Sequence, residues 1–170
     1  MPRSLVRIAA LFALLIPSAF AAAADSDEIH TLAGLTGVYV TVDNINPAAE
    51  LLGLDSRKIH GDVELRLKQK GIPILTVQQM RQTPGLPILK VLLNVHKTEA
   101  GFFVYSIDLH LRQSVQLRRR PSIETFAITW KTGTVGVASE DQMAQVRDLV
   151  LDYVDEFASD YRQANPQRPT

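Results

Sequence analysis

The chain has 170 residues, 46% hydrophobic and 21% charged, with eighteen basic side chains balancing eighteen acidic ones. That is the composition of one ordinary globular domain, without the cationic surplus that sequence-independent nucleic-acid binding requires. There is no cysteine, which excludes disulfide staples, a cysteine nucleophile and a lipid-modified cysteine as membrane anchor, so an exported fold must be held by its core alone.

Residues 1–24 read as a secretory signal: Arg3 and Arg7, then the apolar run IAALFALLIPSAF, then small residues in an A-x-A arrangement. Cleavage after Ala21 and after Ala24 fits equally. Pro17 interrupts the run, which is short of the ~20 residues a spanning helix needs. Losing Arg3 and Arg7 leaves sixteen bases against eighteen acids. The expected location is periplasmic or secreted, in a bacterium, with no covalent membrane anchor.

Residues 25–36 are polar and without periodicity, a lead-in to a single domain over 37–165. In VYVTVDNI, Val38, Val40 and Val42 alternate with Tyr39, Thr41 and Asp43, the pattern of a half-buried strand. Asn46-Pro47 starts a short helical turn. Asp55 is placed to cap a longer helix, in which Ile59, Val63 and Leu67 recur every four residues and Gly71 supplies the C-terminal cap. IPILTV then makes a second strand, joined to the first by a parallel crossover. Three strands follow directly. Leu89, Val91, Leu93 and Val95 share the inward face of one; Phe103, Tyr105, Ile107, Leu109, Leu111, Val115 and Leu117 that of the next; Phe126, Ile128 and Trp130 that of the last. The middle strand, Phe102–Arg119, far exceeds the usual ~3–10 residues, and polar Gln113 in its inward series predicts a bend or bulge there. Ser139 and Gln142 have capping-box spacing. They precede a helix with Met143, Val146, Val150, Val154, Phe157 and Tyr161 along one side, ended by Asn165-Pro166, with residues 166–170 as a disordered tail. The sum is β-α-β-β-β-β-α, an α+β fold of two α/β layers: a mixed sheet with two helices on one face and the other face polar.

That polar face gathers Lys90, Asn94, His96, Asp108, His110, Arg112, Thr129 and Lys131 as candidate contacts for a ligand or partner. Pairing Leu117 with Phe126 would set the turn at Arg120-Pro121-Ser122-Ile123 and place Arg119 opposite Glu124. Arg118, Arg119 and Arg120 then form a hairpin tip, open to an anion but read first as a solvated end. His96 and His110 do not share a metal. Apolar-face matching puts His110 opposite residue 88 or 90, ~20–26 Å from His96 at the rise of a strand. His60 and Glu64 lie one helical turn apart, but Asp62–Arg66 and Glu64–Lys68 have the same spacing, as expected of an ion-paired surface. In WKTGTVGVASEDQ the glycines match no phosphate-binding fingerprint, and Glu140 and Asp141 occupy the first turn of the helix. Gly133 and Gly136 read as a flexible turn. The acidic stripe Asp148, Asp152, Asp155, Glu156 and Asp160 reads as a solvated helix face. With no GxSxG and no other catalytic constellation, neither a catalytic residue nor a cofactor is expected.

TFAITWKTGTVG and VRDLVLDYVDEFASDYRQANP, together with DVELRLKQKGI and YSIDLHLRQSVQL, resemble motifs of small exported bacterial proteins without an assigned activity. The resemblance implies export and no particular chemistry. The order strand, helix, strand, meander and final helix is more loosely similar to periplasmic accessory domains of envelope assembly and transport systems, which commonly carry the lipoprotein cysteine this chain lacks. The functional expectation is a non-catalytic envelope binding protein. It would take a protein, or a small lipidic or peptide ligand, on its uncovered sheet face or a sheet edge. The alternative is a hydrolase of an envelope component, with its site around Asp108, His110 and Arg112. Strand order and oligomeric state are not specified by the sequence.

Overall fold

A computed structural model describes residues 26–166 except 44, 46 and 51; the expected signal segment, Asn46 and the tail beyond Pro166 lie outside the described residues. In chain order the elements are α1 (Ser26–His30), β1 (Tyr39–Val42), α2 (Pro47–Glu50), α3 (Ser56–Gln69), α4 (Val77–Gln82), β2 (Ile88–Lys97), β3 (Phe103–Leu117), β4 (Arg120–Ala138), a 3-10 turn (Glu140–Gln142) and α5 (Met143–Ala164). The sheet runs β1-β2-β3-β4, with β1 parallel to β2 and the other pairs antiparallel. This is the mixed sheet of an α+β fold.

Local chemistry sets most of these boundaries. Asp55 caps α3 by accepting from the Arg57 N–H at 2.8 Å. At the other end Gly71, at φ +80°, lets its own N–H reach the Lys68 carbonyl and the Ile72 N–H reach the Leu67 carbonyl, both at 3.0 Å. Ile59, Val63 and Leu67 of α3 are buried against the sheet together with Met143, Val146, Val150, Val154 and Phe157 of α5. IPILTV does not form a full strand. Its Ile74 makes one parallel bridge to Val38, because Pro73 has no N–H to extend a ladder and the Thr76–Gln79 capping box starts α4 at once. The lead-in is also more than a lead-in. It contains α1, buries Leu32 and Leu35, and is tied to the end of α5 through the Asn165 side chain, which accepts from Gly34 N–H at 2.7 Å and donates to the Leu32 carbonyl at 2.9 Å.

The acidic stripe on α5 proves to be divided between solvent and the fold. Asp148 and Asp152 are exposed. Asp155 takes a bidentate Arg66 contact from α3 (2.7 and 2.5 Å) and Lys70 at 3.1 Å; the Arg66 guanidinium, seconded by Lys70, holds this carboxyl below the usual carboxylate range. Asp62 pairs with Arg147 of α5, so neither Asp62 nor Arg66 makes the pair within α3 that its spacing suggested, although Glu64–Lys68 does at 3.3 Å. Glu156 accepts from the Thr132 hydroxyl and Asp160 from the Trp130 indole N–H at 2.9 Å. Trp130 is fully buried, edge-on to Phe157 with ring centroids 5.0 Å apart.

Strand β4 is where the sequence pattern misleads most. It does not turn at Gly133 and Gly136 but runs on through them to Ala138. Both glycines are there for close approach: a Cβ on Gly133 would lie 2.4 Å from the Ile107 carbonyl oxygen, and the ring of Tyr105 lies across Gly136. The register also shifts between Leu111 and Arg112, where Leu111 faces Trp130 but Arg112 faces Ile128. Thr129 is thus an extra residue, a β-bulge, and beyond it the side-chain alternation of β4 reverses. Phe126 and Ile128 consequently lie on the face opposite Trp130, not beside it.

Replacing Gly133 by Ala is expected to destabilise the fold by roughly 1–3 kcal/mol, the cost of forcing backbone aside in a packed region. Gly61, inside α3 with nothing within 4 Å of an added Cβ, should behave oppositely, Gly61→Ala adding about 0.5–1 kcal/mol. Urea unfolding of the two variants checks the pair of signs.

Candidate functional site

The face of the sheet away from α3 and α5 is ordered by the strand register into rows. Tyr39, Ile88, Arg112 and Ile128 stand side by side. Next come Thr41, Lys90, His110 and Lys131, then Leu92, Asp108 and Gly133, then Asn94, Ser106 and Val135, and last His96, Val104 and Val137. Lys90, Asn94, His96, Asp108, His110, Arg112 and Lys131 therefore share this face, as alternation along the strands requires. Thr129 does not. As the bulge residue it is held by its edges, its hydroxyl accepting from Gln113 Nε2 at 2.8 Å and its carbonyl from the Thr31 hydroxyl at 2.9 Å.

A polar belt crosses the middle of the face. Lys90 pairs with Asp43 at 2.9 Å, and Asn94 donates to the Ser106 hydroxyl at 3.2 Å. His110 sits in register between Lys90 and Lys131. Burial, then the charges of Lys90 and Arg112, hold it below the ordinary histidine range against the opposing pull of Asp108 and Asp43. It is thus a neutral hydrogen-bonding group near neutral pH. Its in-register neighbours are two lysines, with Thr41 beyond Lys90 in the same row, and Asp108 lies two residues away along the same strand.

Apolar ground lies on both sides of the belt, and alternation in the sequence had not exposed it. Val135 is 74% and Val137 65% exposed at one end; Ile128 is 54% and Phe126 43% exposed at the other. A groove of about 300 Å³ at the first end is lined by Asn94, His96, Val104, Ser106 and Val135. Arg112 stacks over Phe126, 5.3 Å from the ring centroid. Val135 and Val137 are hidden in the sequence because Gly133 and Gly136 around them have the look of a turn, although β4 runs through both. Phe126 and Ile128 were hidden by the bulge, for which Gln113 gave the place within two residues but not the strand that carries the extra residue.

Register places His110 opposite Lys90 and His96 opposite Val104, six residues apart along β2, too far to share an ion. Among the described residues no group of three His, Asp or Glu side chains is disposed to hold a metal. His60 lies 3.9 Å from Glu64 and 3.3 Å from the Val40 carbonyl, at the edge of a separate groove with Val42, Ser56 and Arg57. The arginine tip is also rearranged. Arg118 and Arg119 form a two-residue turn closed by Leu117 opposite Arg120, while Pro121, Ser122 and Ile123 are looped out. Glu124 faces Gln116 rather than Arg119 and accepts from the Ser114 hydroxyl at 2.5 Å.

No family model, curated protein or solved structure matches this chain. No helix among the described residues is long and apolar enough to cross a membrane.

The His110 environment makes a signed prediction. Its folded pKa is depressed, so the unfolded chain binds the proton more readily, and the stability this histidine contributes is present above about pH 6.5 and lost as pH falls through the folded value. A proton NMR titration should place the His110 midpoint below 6.5, and Lys90→Met should raise it. A midpoint at or above the ordinary value would contradict the placement of His110 between burial and two cations.

Proposed function

We propose that this is a non-catalytic binding protein of the bacterial cell envelope whose open sheet face holds another protein or a small lipidic or peptide ligand. The observation that carries the reading is the exposure of Val135, Val137 and Ile128 on that face. Valine and isoleucine so placed are costly in water, at about 25 cal/mol for each Å² of apolar surface left uncovered, and the adjoining pair Val135 and Val137, beside the groove, is the part of this face that marks an interaction surface. The polar belt supplies orientation: Lys131, Asp108 and His110 offer a cation, a carboxylate and a neutral imidazole in one patch. Export, suggested by the N-terminal pattern of Arg3, Arg7 and the apolar run after them, places such a surface in the periplasm or outside the cell.

The test is a photo-crosslinking series in the native host with the reactive group at Ser106, in the groove. Crosslinks to one defined partner, lost when Val135 and Val137 are both changed to Ser and kept when Asp152 on the outer side of α5 is changed to Asn, are the expected result. Crosslinks that survive the open-face substitutions would assign the binding to another surface.

A further inference from the structure

The ribbon formed by the far ends of β3 and β4 extends beyond the sheet. Strand β2 begins at Ile88, opposite Arg112, so residues 113–127 have no strand beside them but each other. At the rise of a strand, the five residues from Gln113 to Leu117 carry the Arg118–Arg119 turn roughly 17 Å out. A free two-stranded ribbon is marginal in water. This one is braced near its base, where Ser114 N–H donates to the Gly85 carbonyl at 2.6 Å and Arg112 lies over Phe126.

Its composition is unlike that of a solvated tip. Every residue from Arg118 to Phe126 is exposed, and among them Ile123 and Phe126 are large and apolar. Arg112, Arg118, Arg119 and Arg120 face only Glu124 in charge, giving the stretch net +3 in a chain whose total is zero. Glu124 is engaged by Ser114, and no described carboxylate pairs with Arg118, Arg119 or Arg120. Among the described residues an unpaired positive cluster therefore stands at the tip of an arm.

We propose that this ribbon docks on an anionic bilayer surface, the three tip arginines contacting lipid phosphates while Ile123 enters the boundary between headgroups and acyl chains. Guanidinium groups match phosphate geometry and are weakly hydrated. An apolar side chain immediately beside them, Ile123 in the looped-out segment, suits an interface that is charged outside and oily just beneath. A nucleic acid would use the cations but leave Ile123 uncovered. The docking is independent of what the open sheet face binds, and it needs no covalent anchor.

The experiment is sedimentation of the full chain with vesicles of phosphatidylcholine and phosphatidylglycerol, and with vesicles of phosphatidylcholine alone, beside Arg118→Ala/Arg119→Ala/Arg120→Ala. The N-terminal segment is common to both proteins, so the difference between them reports the ribbon. The native chain should favour the anionic vesicles, and the triple variant should lose about a hundredfold in partitioning, each surface cation being worth roughly fivefold. The difference should shrink as salt screens it. Equal partitioning of the two proteins, or no binding to anionic vesicles, would overturn the proposal. So would arginine-dependent binding of a DNA duplex or an acidic peptide with none to vesicles. An Ile123→Trp variant gives a second readout. Its emission, less that of the parent, should move to the blue with anionic vesicles; an unmoved emission on bound protein would contradict insertion of the tip.

Discussion

The extra residue at Thr129 is the constraint on which the rest of this surface depends. Side chains on a strand alternate with a period of two, so one inserted residue sends everything beyond it to the opposite face. On the Trp130 side of the bulge, β4 buries its indole, Thr132 and Ala138 under α5. On the other side, Ile128 and Phe126 come out beside Arg112. The bulge is held from three directions: Gln113 Nε2 reaches the Thr129 hydroxyl and the Thr31 carbonyl, and the Thr31 hydroxyl reaches the Thr129 carbonyl. The segment after α1 thus acts as a clasp on the strand, which also explains why Leu32 and Leu35 are buried so early in the chain.

On the helical side, specificity comes from polar contacts laid around an apolar centre. Trp130 against Phe157 supplies the burial, while the Trp130–Asp160 and Thr132–Glu156 hydrogen bonds fix how α5 lies along β4. Arg66–Asp155 and Arg147–Asp62 fix it against α3. These ion pairs are partly solvated, and each adds little by itself. Their contribution is to orientation, since four separate partners along one helix agree on a single rotation of α5. Asp155, Glu156 and Asp160 are thereby engaged within the fold, and none of them pairs with the hairpin arginines.

Much of this was legible in the sequence where the governing interactions are local. The Asp55 and Gly71 caps, the burial of Ile59, Val63 and Leu67, the inward series of β2 and the stripe on α5 all follow from periodicity and end chemistry. The α+β class followed from them. The seven strand residues of the polar belt were placed on the open face by alternation alone. What was not legible depends on partners distant in sequence. Whether Asp155 is solvated depends on Arg66, and whether Gly133 is a turn depends on the Ile107 carbonyl across the ladder. Phe126 faces inward or outward according to whether Thr129 is bulged, and that is set by Gln113 and Thr31. A polar residue in an apolar series marks a disturbance of the ladder, but it does not say which strand absorbs it.

The register of the β3–β4 ribbon is therefore the quantity to measure, because the exposed apolar face and the shape of the arginine tip both follow from it. Cross-strand backbone NOEs on isotope-labelled protein read it directly. Contacts joining Ser114 with Phe126 and Gln116 with Glu124 are the result the structure requires. Contacts joining Val115 with Phe126 and Leu117 with Glu124 would mean an unbulged continuation of the Leu111–Trp130 ladder, with Phe126 and Ile128 turned to the core and no apolar ground on the open face beside Arg112.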